Sequence, residues 1–185
     1  NTYWINGRFL AAPLTGVQRF AFEVTRSLAL NKENEVHLVV PKTLKSTPPK
    51  GVILHSTGYA SGVLWEQIEL PFFLNKNRVD ALINLANTAP LLFQKNVIII
   101  HDAAVFRDPG NWFNPLFRTW YRWLLPRLAK RHSVGTVSHF SAAELSKALN
   151  IPQPTIPVCY NGVGFGLKNA AINSSPPIDD AYLLL

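Results

Sequence analysis

The chain has 185 residues, of which 48% are hydrophobic, enough to bury the core of one ordinary domain. Its single cysteine, Cys159, excludes an intrachain disulfide and fits a reducing, cytoplasmic compartment. The apolar stretches are much shorter than a membrane span, and no signal peptide opens the sequence. The chain begins at Asn1 and contains no methionine, so we expect it to be part of a longer protein.

The formal net charge of +7 is concentrated in one region, between Arg107 and His132. Asp108 is the single acid there, against six basic residues: Arg107, Arg118, Arg122, Arg127, Lys130 and Arg131. Such a patch can contact nucleic acid, anionic lipid headgroups or a phosphorylated substrate, and the alternative is a solvated helix face. Since no nucleic-acid-binding motif accompanies the patch, we expect no nucleic-acid partner.

Short strands and helices alternate through the first half of the chain. Strands are predicted at 2–5, 36–40, 51–55 and 81–85, and helices at 16–30 and 64–74. Asn6-Gly7 indicates a turn or hairpin. Thr15 and Gln18 have capping-box spacing at the start of the first helix.

The same alternation continues in the second half. The β-branched run Val97–Ile100 predicts a strand buried on both faces, and it ends in His101-Asp102. Asn114-Pro115 predicts a helix start, with a kink expected at Pro126 before the helix ends near residue 131. Further strands are predicted at 133–137 and 155–159, and between them a helix from a Ser141–Glu144 capping box to about residue 150.

The C-terminal part differs in composition. Residues 168–181 are rich in Asn, Ser, Pro and Asp, which is typical of a linker. Residues 182–185 read Tyr-Leu-Leu-Leu, like the start of a buried strand. We therefore expect one domain over 1–167, a linker over 168–181, and the beginning of a second domain at 182–185.

Polar residues follow the predicted strands at several points. Alternating strands and helices favour a doubly wound parallel sheet, in which the carboxyl ends of the strands share one edge and bind ligands. The polar groups at that edge are Thr15-Gly16, Asn84 to Asn87, His101-Asp102, Ser138 and Asn161-Gly162. His101 and Asp102, the two most conspicuous of these residues, also have a structural interpretation. The His101 side chain can hydrogen-bond to the backbone, and Asp102 can cap a helix.

Other motifs, some present and some absent, limit the kinds of site that this sequence can be expected to contain. Gly16 lies at a helix N-terminus, where backbone N–H groups favour an anion. The chain has no dinucleotide fingerprint and no P-loop, and the glycines of 162–166 fit a flexible turn. It also lacks zinc-ligand spacing and a GxSxG nucleophile.

Five segments together resemble the GT-B glycosyltransferases of family 4. Residues 15–20 (TGVQRF) resemble the family's glycine loop, 65–71 (WEQIELP) its WEQxxLP segment, His101-Asp102 its HD strand end, 136–141 (TVSHFS) its TVSxFS segment, and 160–163 (YNGV) its PNGV segment. They occur in the family's order across 2–166 and are similar above all to the mannosyltransferase-like group that builds bacterial surface polysaccharides. Tyr160 replaces a proline and Gly164 an aspartate of the family pattern.

The resemblance implies the N-terminal half of a two-domain GT-B enzyme. The fold would be α/β, with a Rossmann-like parallel sheet of six or seven strands and helices on both faces. In this family the N-terminal domain mainly binds the acceptor, and the C-terminal domain binds the nucleotide sugar. Since no Glu-x7-Glu donor motif is present, we expect this chain alone to be inactive.

The resemblance also implies roles for individual residues. The reaction would move a hexose such as mannose, with retention, from a nucleotide sugar to a glycan or polyprenyl-linked acceptor. Gly16 would approach the donor diphosphate, and His101 would hydrogen-bond the transferred sugar and steady developing charge. Acceptor or sugar contacts would come from Asn84, Asn87, Asp102, Ser138 and Asn161. The resemblance also implies that no metal or other cofactor is required, and departure of a diphosphate needs preorganised hydrogen-bond donors more than it needs a nucleophile.

Two questions stay open at this stage. The alternative function is a non-catalytic sugar- or phosphate-binding module of flavodoxin-like fold.

The helix predicted from Pro115 combines aromatic residues with Arg118 and Arg122, which is typical of a helix resting on the anionic inner face of the plasma membrane. The alternative is that Trp120 and Trp123 are core residues and the arginines are merely solvated.

Overall fold

The computed structural model describes residues 1–107 and 112–162; the predicted linker and second-domain start lie outside them. The strands are β1 (Thr2–Asn6), β2 (Glu35–Val40), β3 (Ile53–Ser56), β4 (Leu82–Asn84), β5 (Asn96–Ile99) and β6 (Ser133–Gly135). The helices are α1 (Gly16–Leu30), α2 (Gly62–Leu64), α3 (Leu70–Lys76), α4 (Ala104–Arg107), α5 (Pro115–Ala129) and α6 (His139–Leu149).

The six strands form one parallel sheet in the order β3-β2-β1-β4-β5-β6. The chain builds one side of the sheet through β3 and then returns to place β4 beside β1. The predicted Rossmann-like α/β fold is therefore confirmed. The crevice between the carboxyl ends of β1 and β4 is the switch point where ligands bind in such sheets.

The two faces of the sheet bury alternate residues of each strand. In β2, Leu38 and Val40 share a core with Ala21 of α1, whereas Val39 packs with Trp65 and Leu70 on the opposite face. Helices α5 and α6 enclose a third core around β5. The β-branched run of β5 is mostly buried as predicted, although Val97 is 40% exposed.

The predicted hairpin at Asn6-Gly7 is wrong. Gly7–Ala11 forms a 3-10 helix, and the Asn6 side chain accepts a hydrogen bond from the backbone N–H of Arg8. β1 is a central strand with β2 and β4 on its two sides, so no position is free for an antiparallel partner. The turn also needs glycine, because a Cβ at Gly7 would lie 2.8 Å from the Val39 carbonyl oxygen.

Both predicted capping boxes are wrong in detail. Thr15 is the N-cap of α1, but its hydroxyl bonds the Gln18 side chain and not a backbone N–H. Helix α6 begins one turn earlier than predicted, because Ser138 Oγ accepts from the Ser141 N–H at 3.0 Å.

Two other predictions concern the second half of the chain. Asn114 caps α5 as predicted, and the helix continues through Pro126. The strand predicted at 155–159 is reduced to one parallel bridge between Thr136 and Val158.

A π-helical turn, Trp65–Glu69, joins α2 to α3 and carries most of the WEQIELP segment. Its first two side chains, Trp65 and Glu66, are fully buried. Trp65 Nε1 donates to the Thr57 carbonyl, and the Glu69 carboxylate accepts from the backbone of Tyr59 and Ala60. The segment therefore fixes the loop that follows β3.

Gly58 in that loop provides a test of this anchoring. Its φ is +78°, and a Cβ would lie 2.1 Å from Glu69 Oε2, whereas Gly62 (φ +58°) has open space around its Cβ position. Gly62→Ala adds only the strain of positive φ, about 1–2 kcal/mol. We expect Gly58→Ala to lower the free energy of unfolding by about 1–3 kcal/mol more than that, as overpacking does. Urea denaturation measures both, and equal losses would contradict the anchoring role of Glu69.

Candidate active site

His101 follows β5 at the carboxyl edge of the sheet and is 9% exposed. Its Nε2 lies 3.0 Å from the Leu85 carbonyl oxygen, and its backbone N–H donates to Asn87 Oδ1 at 2.7 Å. The Phe20 ring of α1 meets the imidazole edge to face, with centroids 4.7 Å apart. Three segments thus hold the ring: α1, the loop after β4, and the end of β5.

These contacts also define the proton state of the imidazole. A carbonyl oxygen only accepts, so Nε2 carries the hydrogen and Nδ1 is the acceptor of the neutral ring. Burial lowers the pKa of His101 from 6.5, and the Leu85 carbonyl and Asp102 oppose that effect only in part. At neutral pH the ring is therefore uncharged and can accept a hydrogen bond at Nδ1.

The asparagines after β4 differ in environment. Asn87 has a positive φ of 63°, a backbone conformation that asparagine adopts more readily than most residues. Its Oδ1 accepts the hydrogen bond from the His101 backbone N–H. Asn84 is buried, accepts from Asn6 Nδ2 at 3.0 Å and donates to Asn96 Oδ1 at 3.0 Å. Asn87 is half-buried and lines a cavity, whereas Asn84 is fully engaged in cross-strand bonding.

Two other predicted contact residues have capping roles. Asp102 Oδ1 accepts from the N–H of Ala104 at the start of α4, the structural alternative recognised from the sequence. Ser138 caps α6. Substrate contacts by Asn84, Asp102 and Ser138 stay predictions.

A groove of about 550 Å³ runs along α1, and we call it the α1 groove. Its lining includes Gly16 and Phe20 at one end and the exposed Asn161-Gly162 beside them, so two predicted site residues share this surface. Within the described chain, no atom lies within 4 Å of a Cβ position at Gly16. The fold itself therefore does not require glycine there, and the open space fits the predicted close approach of a ligand.

A second cavity, the polar pocket, has a volume of about 450 Å³ and lies at the β1/β4 switch point. Its walls come from the ends of these strands, the first turn of α1, the π-helical turn and α5. Its lining combines polar groups with aromatic rings: Asn6, Arg8, Thr15, Gln18, Glu66, Asn87, Thr88, Phe113, Phe117 and Tyr121.

Glu66 is the buried anion of the polar pocket, with no exposed surface. Its carboxylate accepts from Arg8 Nη1 at 2.7 Å, from Asn6 Nδ2 at 2.9 Å and from Thr88 Oγ1 at 2.9 Å. Burial alone would lower the pKa of Arg8, but Glu66 and Tyr121 outweigh it and raise that pKa. Burial also raises the pKa of Tyr121, whose hydroxyl is hydrogen-bonded to Arg8 and Thr88.

Sequence reasoning missed this network. The sequence pattern gives no role to Arg8 or Tyr121, and it places Glu66 only within the WEQxxLP segment. The available signal was a charged residue, Glu66, directly after the large apolar Trp65 in that segment. Its partners lie 58 and 22 residues away in sequence, at Arg8 and Thr88, so no local spacing could identify them.

The family model described as Glycosyltransferase Family 4 matches residues 14–164, most of the chain. The chain belongs to glycosyltransferase family 4. No curated protein matches the sequence significantly. Family membership supports glycosyl transfer, with a sugar donor and an acceptor as substrates, over the non-catalytic alternative.

Metal-ligand clusters and membrane-spanning helices are both absent from the described residues, 1–107 and 112–162. No group of three or more His, Cys, Asp or Glu side chains converges there as metal ligands would. In the same part of the chain, no helix is both long and apolar enough to cross a bilayer.

The lowered pKa of His101 makes stability depend on pH in a defined direction. The unfolded chain binds a proton at this residue more readily than the folded one, so the free energy of unfolding falls as pH drops below about 6.5. We expect His101→Gln to lose less stability than wild type between about pH 7 and pH 5. Urea denaturation across this range tests it, and equal losses would contradict a buried neutral imidazole.

Proposed function

We propose that this chain is the acceptor-side domain of a retaining glycosyltransferase. The reaction moves a hexose such as mannose from a nucleotide sugar to a glycan or polyprenyl-linked acceptor in surface polysaccharide synthesis. Family membership supports the transfer, and the similarity of several motifs to the mannosyltransferase-like group supports the finer assignment.

The observation that carries the proposal is that His101, although it lines neither cavity itself, contacts wall residues of both. It contacts Phe20, which lines the α1 groove, and it bonds Leu85 and Asn87, which line the polar pocket. The first turn of α1 contributes to both cavities: Gly16 lines the groove, whereas Thr15 and Gln18 line the pocket.

In this proposal the donor diphosphate lies at the N-terminus of α1, beside Gly16 and Asn161. Backbone N–H groups there stabilise negative charge as the diphosphate leaves. His101 Nδ1 accepts a hydrogen bond from a hydroxyl of the transferred sugar and fixes the ring as the glycosidic bond breaks. No metal ion or other cofactor takes part in this scheme.

Loss of the imidazole tests the role of His101 in the full-length enzyme. We expect His101→Ala to lower kcat by about 10²–10³-fold, the effect of removing one preorganised group at a site of developing charge. His139→Ala, at an exposed position outside both cavities, serves as the matched control. Circular dichroism and thermal unfolding establish that the fold is kept. Turnover near wild type in a folded His101→Ala enzyme would contradict the proposal.

We also propose that α5 holds the enzyme at the cytoplasmic membrane, where a polyprenyl-linked acceptor is available. Trp112 and Leu116 are 75% and 80% exposed at the start of the helix. Trp123 is half exposed, with the Arg127 guanidinium 4.2 Å from its ring centroid, whereas Trp120 is half-buried in the core. Exposed aromatics beside arginines are typical of helices at the bilayer interface.

Vesicle sedimentation tests the membrane contact. Each basic residue near anionic lipid contributes about 1 kcal/mol, so we expect Arg118→Glu/Arg122→Glu to lower the bound fraction markedly. Lys32→Glu/Lys76→Glu makes the same change in net charge elsewhere on the surface and should leave binding largely intact. Binding should also weaken with salt. Equal recovery in the supernatant with and without anionic lipid would contradict the contact.

A further inference from the structure

The Arg8–Glu66 pair in the polar pocket has no role in the scheme above. Glu66 is completely buried, and 22% of the Arg8 side chain remains exposed. A buried ion pair seldom adds net stability, because the loss of hydration offsets the attraction between the charges. Four segments nevertheless converge to hold this pair, through Asn6, Gln67, Thr88 and Tyr121.

The network leaves part of one side chain facing the cavity. Arg8 has five N–H donors in a planar fork, and Glu66 and Tyr121 orient it from the buried side. Since the adjacent carboxylate neutralises its charge, the fork offers fixed donors without attracting an anion strongly. Such a site suits hydroxyl oxygens better than phosphate.

The polar pocket is also lined by a ladder of aromatic rings that begins at Tyr121. Phe117 stacks on Tyr121 with centroids 4.1 Å apart, and Phe113 stacks on Phe117 at 5.7 Å. Phe117 is 41% exposed, so its surface is open to a ligand. Apolar rings combined with a few fixed polar groups are the usual form of a small-molecule site, and they fit a sugar ring, which has an apolar C–H face as well as hydroxyls.

We propose that the polar pocket binds an uncharged sugar ring of the acceptor. Arg8 donates hydrogen bonds to its hydroxyls, and Phe113 and Phe117 pack against its apolar face. Glu66 is a positioning residue that acts through Arg8. This inference rests on the proposed glycosyl transfer, because Asn87 and Leu85 of the pocket wall are the residues that hold His101.

Calorimetric titration of the chain with methyl α-mannoside, methyl α-glucoside, methyl α-galactoside and mannose 6-phosphate tests the ligand class. We expect a neutral glycoside to bind with little dependence on salt. Arg8→Lys keeps the charge but loses the fork, and Phe117→Ala removes the wall. Each should weaken binding by about tenfold or more, the loss of one hydrogen bond to a charged donor or of a stacked ring. Arg78→Lys, an exposed site outside both cavities, should leave binding unchanged.

Three results would overturn the assignment: no binding by any neutral glycoside, equal binding by Arg8→Lys, or tighter and steeply salt-dependent binding of the 6-phosphate. In the full-length enzyme, Arg8→Lys and Glu66→Gln should raise the acceptor KM and leave the donor KM unchanged. Since Glu66→Gln can fail to fold, Arg8→Lys decides the question. An unchanged acceptor KM in Arg8→Lys together with a large loss of kcat in His101→Ala would reject this pocket while supporting the proposed function.

Discussion

The carboxylate of Glu66 organises the carboxyl edge of the sheet. It joins Asn6 at the end of β1, Arg8 in the 3-10 helix, and Thr88 after β4, and it does so from a helix on one face. β1 and β4 are the two neighbouring strands at which the strand order of the sheet reverses. Removing one partner of such a pair leaves a buried charge uncompensated, at a cost of about 3–5 kcal/mol. The shape of the crevice therefore depends on an interaction that is costly to break.

The position of His101 depends on the same arrangement. The loop after β4 begins beside Asn84 and supplies Leu85 and Asn87 to His101, while Thr88 is tied to Glu66. Gln67, the neighbour of Glu66, bonds the backbone of Ala89 and Leu91 and holds the far end of the same loop. One π-helical turn thus fixes both the pocket wall and the residues that orient the imidazole. Rigid support of this kind is what preorganised electrostatic catalysis requires.

The sequence predicted the parts of this fold that depend on local pattern. The strand ending in His101, helix α1 and the Asn114 cap all follow from periodicity and cap chemistry over a few residues. One error occurred where long-range packing overrides local preference, because Asn6-Gly7 ends a central parallel strand and cannot form a hairpin there. The other was local: two serines compete as the cap of α6, and Ser138 takes that position although Ser141 and Glu144 have capping-box spacing.

The candidate site could likewise be predicted only where it depends on local pattern. The alternation of strands and helices is enough to place His101, Gly16 and Asn161 at the carboxyl edge of the sheet. The Glu66 carboxylate bonds residues up to 60 positions away in sequence, and these hydrogen bonds exist only after the sheet has formed.

The central claim is that the first turn of α1 separates donor from acceptor, with His101 between them. NMR chemical-shift mapping of the full-length enzyme tests this directly, with separate titrations of GDP-mannose, as a nucleotide-sugar probe, and a neutral methyl glycoside. We expect the nucleotide sugar to shift the amides of Gly16 and Asn161, the glycoside those of Arg8 and Thr88, and both ligands that of His101. Identical shifts from the two ligands, or shifts that leave His101 unaffected, would contradict the account.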